Sequence, residues 1–168
     1  MNGTLDRPAA KSARRQRSSA GTASDARILD QAALQRLVGY NLRRAEVAMR
    51  GRVAQELAAL DVRAVEYSIL SLVARNAEVT QKDLGEALSV KRPNMVSLVG
   101  GLETRGYVTR RVLERDRRNH LLSITVAGQT ALAEMDARLD RLEDEVFGAW
   151  SPGERAQLAT MLKRIYAA

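Results

Sequence analysis

Hydrophobic residues recur at spacings of three and four over most of this chain, which is the period of an amphipathic α-helix. The pattern predicts a long first helix from residue 25 to about residue 59 and a second helix over residues 63–75. Two short helices follow, one starting after Thr80 and one over residues 92–105. The tight turn at residues 89–91 places these two short helices side by side.

The pattern then changes to short runs that are rich in β-forming residues. Residues 107–113 and 121–125 are predicted strands, and residues 114–119 between them form a charged hairpin tip. From Thr125 the helical spacing returns, and residues 151–154 form a capping box with proline at the first helical position. A last helix is therefore expected near the end of the chain.

Two short helices joined by a tight turn and followed by a β-hairpin make a winged helix-turn-helix. The predicted fold class is mainly α with a small β-hairpin wing: a winged helix-turn-helix lobe plus a helical dimerisation domain. We divide the 168 residues into four parts, namely a disordered basic tail (1–24), an N-terminal dimerisation helix (25–60), the winged lobe (61–126) and C-terminal dimerisation helices (127–168).

The positive charge of the chain is concentrated in two segments. The formal net charge is +7. Residues 1–24 hold five basic and one acidic side chains, and residues 91–118 hold eight basic and three acidic ones. The second segment coincides with the second short helix and the hairpin, and a basic patch on one face is typical of a polyanion binder. The basic tail is either a solvated leader or an arm that adds non-specific attraction to phosphates.

The candidate DNA-binding residues lie on the second short helix and the hairpin tip. In a helix-turn-helix the second helix enters the major groove, where Asn pairs with adenine and Arg with guanine. Arginines on a hairpin tip reach the minor groove or phosphates. Gly101 is expected on the same exposed face of the helix. The predicted DNA-binding residues are Lys91, Arg92, Asn94, Ser97, Arg115, Asp116, Arg117 and Arg118.

Composition excludes several other classes of protein. The chain has no cysteine and one histidine, His120, so disulfides, thiolate chemistry and a zinc site are not expected. Because it also lacks a phosphate-binding glycine loop and a Ser-His-Asp set, we expect neither an enzyme nor a cofactor. No apolar run approaches about 18 residues and no secretory signal is present, so a cytoplasmic protein without membrane contact is expected.

Three segments together resemble the MarR (multiple antibiotic resistance regulator) family of transcription factors. They are LETRGYVTR at residues 102–110, DRR at 116–118 and SITVAG at 123–128. The resemblance covers about residues 28–166. It implies an obligate homodimer on a pseudo-palindromic operator, with the first and last helices forming the dimer domain. It also implies that Arg118 enters the minor groove and that Asp116 braces the wing.

One departure from the family pattern falls within the second short helix. Family members often carry a polar pair before the Leu-Glu of this segment, whereas this chain has Gly100 and Gly101. Two glycines inside a helix each cost about 1 kcal/mol relative to alanine. The C-terminal half of this helix is therefore expected to be softer.

Members of this family usually lose DNA affinity when a small aromatic or anionic molecule binds between the dimer helices and the DNA-binding lobe. Arginines beside a tyrosine suit an anionic aromatic ligand, although such arginines also fit a solvated helix face. The candidate effector-binding residues are Tyr40, Arg43, Arg44, Arg63 and Tyr67.

The segments at residues 66–70 and 92–96 are similar to a subgroup that responds to hydroxycinnamoyl-CoA thioesters. The resemblance thus implies a repressor of aromatic-compound catabolism, released by an anionic aromatic ligand or its CoA thioester. A non-specific, architectural DNA-binding protein without a ligand switch is the alternative.

Overall fold

The computed structural model describes residues 29–113 and 116–166, and it describes side chains for residues 29–111 and 120–166. Over these residues the chain forms seven helices and three strands. In chain order they are α1 (Ala32–Gln35), α2 (Val38–Ala58), α3 (Ala64–Arg75), β1 (Val79–Thr80), α4 (Gln81–Ala87), α5 (Arg92–Thr104), β2 (Val108–Leu113), β3 (Asp116–Ile124), α6 (Val126–Phe147) and α7 (Pro152–Tyr166).

The first predicted helix is wrong as a single unit. The chain breaks between α1 and α2, where Leu37 has an extended backbone (φ −87°, ψ 122°). The Asn41 side-chain amide donates to the carbonyl oxygens of Gln35 (2.7 Å) and Leu37 (3.0 Å) at this break. The bond to Gln35 satisfies a carbonyl at the end of α1 that has no partner within that helix. The Leu37 carbonyl also accepts from the Asn41 backbone amide (3.2 Å). Residues 25–28 of that predicted helix lie outside the described residues.

The two short helices form as the sequence predicts. Thr80 caps α4: its hydroxyl accepts a hydrogen bond from the Asp83 amide (3.2 Å), and the Asp83 carboxylate accepts one from the Thr80 amide (2.8 Å). The turn before α5 contains Ser89 at a positive φ of 53°. α5 ends one residue before its predicted end, and Gly106 follows with a φ of 71°, a conformation that glycine adopts without strain.

The sheet differs from the predicted hairpin in two ways. It has three antiparallel strands in the order β1-β3-β2, because Val79 pairs with Leu122; the two-residue β1 is too short to give a sequence pattern. The predicted tip over residues 114–119 is wrong for residues 116–119, which belong to β3. The strand register shifts between Val112, which pairs with His120, and Leu113, which pairs with Asp116. The longer stretch of β3 between these two pairs is accommodated by this irregularity.

One hydrophobic core joins the winged lobe to α2 and α6. Met135 of α6 and Leu57 of α2 are as fully buried as the lobe residues that they contact. The core therefore sets the position of the lobe against the first part of α6. Its largest fully buried side chains are Leu57, Ile69, Leu70, Leu84, Met95, Val99, Leu102, Val108 and Met135.

The outer helices pack differently. No residue of α1 or α7 is buried, and only Leu57 of α2 is. Of the four apolar residues that the pattern of α7 places inward, Leu158 and Leu162 are half-buried, whereas Met161 and Ile165 are exposed. This part of the pattern is therefore wrong for the single chain. Among the described helices, none is long and apolar enough to cross a membrane.

Candidate DNA-binding surface and effector groove

The helix α5 is held against the core by one face. Met95, Leu98, Val99 and Leu102 are all buried there. Pro93 stands in the first turn, where its missing amide donor leaves no hydrogen bond unmade. The opposite face is consequently fixed in orientation and open to a partner.

That opposite face carries four of the predicted DNA-binding residues. Lys91, Arg92, Asn94 and Ser97 are all exposed, as the sequence indicates. None of them forms an ion pair or a side-chain hydrogen bond with another side chain that the structure describes. Gly101 does not belong to this face: it is half-buried, and a Cβ there would lie 3.9 Å from Glu66 Oε1.

The wing residues are placed only in part. Arg115 lies outside the described residues. Asp116, Arg117 and Arg118 follow one another in β3, so their backbone is strand rather than loop, and their side chains are not described. The three wing residues with a described backbone thus belong to the end of the hairpin where Leu113 and Asp116 pair.

The basic segment at residues 91–118 is less available to a polyanion than its charge suggests. Arg110 Nε lies 2.9 Å from a carboxylate oxygen of Glu103, and Arg105 is tied to Glu66 of α3. Two of the eight basic groups are therefore neutralised within the chain. The remaining charge is concentrated at the start of α5 and in the hairpin.

Glu66 is a buried carboxylate at the centre of an ion-pair network. It accepts hydrogen bonds from Arg105 Nη2 (2.8 Å), from Arg63 Nη2 (3.1 Å) and from the Arg63 backbone amide (2.9 Å). Arg105 Nη1 also donates to the carbonyl oxygen of Asp61 at 2.8 Å. Burial raises the pKa of Glu66, but the Arg63 hydrogen bonds and the charges of both arginines outweigh it and hold that pKa below its ordinary value.

A groove of about 610 Å³ opens beside this network. It runs between the end of α2, the start of α3 and the second half of α5, so it lies where the outer helices meet the winged lobe. Its walls carry two arginines and the backbone of Gly101, whose missing side chain leaves the groove open. The residues that line it are Ala54, Ala58, Asp61, Val62, Arg63, Ala64, Glu66, Gly101, Thr104 and Arg105.

The predicted effector residues do not converge on one point. Arg63 lines the groove, whereas the Tyr67 hydroxyl donates to Asp136 Oδ1 on α6 (2.8 Å). Tyr40 donates to Gln31 Oε1 (2.6 Å), and Arg43 and Arg44 are exposed on α2. The effector set chosen from the sequence leaves out two groove residues, Glu66 and Arg105. The Arg63–Glu66 spacing is a capping signal that could have indicated Glu66, but nothing local indicates Arg105, 39 residues away.

A second cavity of about 500 Å³ lies between α4, the start of α5 and β3. Arg92 and the half-buried His120 are among the residues on its walls. Over the described part of the chain, no group of three or more His, Cys, Asp or Glu side chains is arranged to hold a metal ion.

The fold and the exposed face of α5 define a winged-helix DNA-binding protein. A protein family model described as the MarR family matches residues 60–119. A Thauera aromatica protein assigned to transcriptional regulation of the hcr operon is 31% identical over 130 residues, covering 77% of this chain and 78% of that protein. The chain belongs to the MarR family.

Two solved structures are similar to the whole described architecture. The transcriptional repressor CouR, bound to a 23-mer DNA duplex, superposes with a TM-score of 0.78 at 29% identity, covering 83% of this chain and 99% of that one. CouR from Rhodococcus jostii RHA1, bound to p-coumaroyl-CoA, gives 0.71 at 29% identity over 79% and 93% of the two chains. The chain is accordingly a DNA-binding transcriptional regulator and not an enzyme.

Proposed function

We propose that this chain is a homodimeric repressor that binds a pseudo-palindromic operator and leaves it when an anionic aromatic ligand, or its CoA thioester, binds. The observation that carries the proposal is the face of α5 formed by Lys91, Arg92, Asn94 and Ser97, which is exposed and has no partner among the described side chains. Genes of aromatic-compound catabolism are the proposed targets.

On DNA, each part of the surface has a distinct role. Asn94 and Ser97 read base edges in the major groove, and Lys91 and Arg92 contact phosphates or guanine at the start of α5. Arg115, Arg117 and Arg118 extend the contact to the minor groove, with Asp116 bracing the wing. The similar repressor CouR is bound to a DNA duplex in its solved structure, which supports DNA binding by this fold.

Apolar surface that a single chain leaves uncovered supports the proposed dimer. Leu37, Val38, Met161 and Ile165 are each at least half exposed, and all lie at or within α2 and α7. Clusters of exposed apolar residues mark association surfaces. A second copy is the proposed occupant, because two winged lobes are required to read the two halves of a pseudo-palindrome.

The effector proposal rests on the charge of the groove beside Glu66. Arg63 and Arg105 offer guanidinium donors, but the Glu66 carboxylate already binds both. An anionic ligand must therefore compete with Glu66 for these arginines, and a ligand with several negative charges does so best.

The geometry of α2 favours a long ligand over a compact one. Arg43 and Ala54 are 11 residues apart, about three turns, so they share one face of α2 and lie roughly 16 Å apart along its axis. Ala54 lines the groove, whereas Tyr40, Arg43 and Arg44 lie toward the other end of the helix. An acyl-CoA, with its extended pantetheine arm and its phosphates, can reach both ends, whereas a free aromatic acid cannot. Tyr67 of α3 completes the proposed set of effector contacts.

The DNA-binding proposal is tested by fluorescence anisotropy on DNA from upstream of the gene for this protein, against scrambled DNA, across a salt series. We expect tighter binding to the native sequence. Arg92→Ala should weaken binding and lower the slope of log K against log salt by about one. Arg141→Ala, an exposed arginine on α6, is the charge-matched control. Equal, steeply salt-dependent binding to both DNAs would favour the architectural alternative.

The effector proposal is tested by adding p-coumaroyl-CoA, p-coumarate or free CoA to the specific complex. We expect the thioester to release the DNA at the lowest concentration. Arg44→Ala should raise the concentration required, whereas Arg141→Ala should not. Release by p-coumarate and not by its thioester would contradict the long-ligand model, and release by none would remove the hydroxycinnamate assignment.

A further inference from the structure

One apolar side chain stands on the polar face of α5 that is proposed to meet DNA. Val96 is 45% exposed, and it lies on the exposed part of the helix with Arg92, Asn94 and Ser97. The sequence pattern did not single it out, because an isolated exposed valine is ordinary on a protein surface. Pro93, in the first turn, is also exposed, whereas the other exposed neighbours, Arg92, Asn94 and Ser97, are polar or charged. Val96 is therefore an apolar side chain within the polar part of this surface.

Gly100, one turn further along α5, leaves Val96 uncovered. Side chains on a helix lean toward its N-terminus, so any side chain at position 100 would lie over the turn that holds Val96. A Cβ at Gly100 would meet no atom within 4 Å. Packing therefore does not require glycine there, although glycine inside a helix costs about 1 kcal/mol relative to alanine.

The two positions together form an apolar notch, made of the Val96 isopropyl group and the bare backbone of Gly100. Of the groups that base pairs present in the major groove, the 5-methyl group of thymine is the apolar one, and it is recognised by apolar side chains. We infer that Val96 reads a thymine 5-methyl group in each half-site and that Gly100 keeps the notch open for it. This inference rests on the proposed function, because α5 must enter the major groove.

The test replaces thymine by deoxyuridine, which lacks only that methyl group. A binding site is first selected from a random duplex library with the full-length protein, and each thymine is then replaced in turn in both half-sites. At one thymine position, the affinity of wild type should fall about fourfold for each half-site that is replaced. This factor corresponds to the ~0.8 kcal/mol gained when one aliphatic carbon is buried away from water. Val96→Ala, which retains only one methyl group, should discriminate less than wild type between the thymine and uracil duplexes.

Matched variants separate the readout from general effects. Val126→Ala changes an exposed valine at the start of α6, next to the open end of the hairpin. This variant should discriminate between thymine and uracil as wild type does. Gly100→Ala should unfold at a higher temperature than wild type but discriminate less between the two bases. These results would support the notch.

Two results would overturn the inference. Suppose that the selected site is bound specifically, but that every thymine-to-uracil replacement lowers the DNA affinity of wild type and of Val96→Ala by the same factor. Val96 then does not read a methyl group. If the library yields no preferred sequence, specific DNA recognition itself fails, and the inference fails with it. The two failures are distinguished at the selection step.

Discussion

At the scale of single residues, Gly128 shows where the backbone itself must come close. It is buried in the first turn of α6, and its amide donates to the Thr125 hydroxyl at 2.9 Å. The same hydroxyl bonds to the carbonyl oxygen of Gly106 (2.6 Å) and lies 3.3 Å from that of Tyr107. A Cβ at Gly128 would overlap the Tyr107 carbonyl group and the Ile124 side chain. Glycine is thus required by this approach and not by an unusual φ.

Gly128→Ala should lower the free energy of unfolding by about 2–3 kcal/mol, because the overlap with backbone can be relieved only by shifting α6 from the sheet. Urea unfolding followed by circular dichroism measures the change. Gly39→Ala is the control: its Cβ would meet nothing within 4 Å in α2, and it should stabilise the protein by up to ~1 kcal/mol. Equal stability of Gly128→Ala and wild type would show that the first turn of α6 can move away from Tyr107 without cost.

Tyr67 is a second residue whose surroundings can be measured directly, through the pKa of its hydroxyl group. Burial, and then the hydrogen bond that its hydroxyl donates to Asp136, raise the pKa of Tyr67 to about 12. The folded value lies above the ordinary value near 10. Its contribution to stability is therefore complete below about pH 10 and is lost as the pH rises toward 12.

In an ultraviolet titration of the four tyrosines, one should ionise near pH 12, and Tyr67→Phe should remove that step. Tyr166→Phe, which changes a 76%-exposed tyrosine, should leave it in place. If Tyr166→Phe removed the step instead, the raised pKa would belong to Tyr166 and not to Tyr67.

At the scale of elements, the Glu66 network fastens α3 to α5. Arg63 caps the start of α3 with Glu66, and Arg105 follows the last residue of α5 and stacks over the Tyr107 ring at 5.4 Å. One carboxylate thus holds the end of α5, the helix proposed to contact DNA, against the start of α3. A ligand that takes Arg105 from Glu66 would free this end of α5.

Glu66→Gln should therefore change how stability depends on pH. Since the folded pKa of Glu66 lies below its ordinary value, the carboxylate stabilises the protein fully at neutral pH and loses this effect as the pH falls through about 4 and below. We expect the variant to be ~1–2 kcal/mol less stable at pH 7, a figure reduced because both arginines are partly exposed.

Urea unfolding between pH 3 and pH 7 measures this dependence, and the gap between the two proteins should narrow toward the acid end. Glu46→Gln breaks an exposed pair with Arg50 and should change stability by less than ~0.5 kcal/mol at either pH. A gap that stays constant with pH would mean that the Glu66 charge does not stabilise the fold.

At the scale of the whole molecule, the winged lobe has a closed core whereas the outer helices present apolar residues to solvent. Leu37 and Met161 are 54% and 50% exposed. In the proposed homodimer these residues are buried between two copies, and the spacing of the two lobes on DNA depends on that contact.

Met161→Asp should therefore convert the dimer to monomer in sedimentation velocity, because a carboxylate would be left unpaired in an apolar interface. Operator binding should fall sharply with it, while the helical content of the lobe persists. Val126→Asp places the same charge at another exposed apolar position and should remain dimeric. A dimeric Met161→Asp variant would place the interface elsewhere.

Much of the local structure was predictable from the sequence. The capping boxes at Thr80 and Ser151, the buried stripe of α5 and the end of that helix at Gly106 all form as expected. Each of these signals acts between residues no more than four positions apart, so the pattern along the chain contains it.

Tertiary structure decided what depends on distant residues. The break at Leu37 interrupts a helical period that continues on both sides of it, and β1 exists only because Val79 reaches Leu122. Packing also determined that Arg105 pairs with Glu66. The sequence by itself determined which faces of which helices are apolar or basic, because periodicity is local. Only the folded chain decided which of those faces are covered, because burial and charge pairing join residues far apart in sequence.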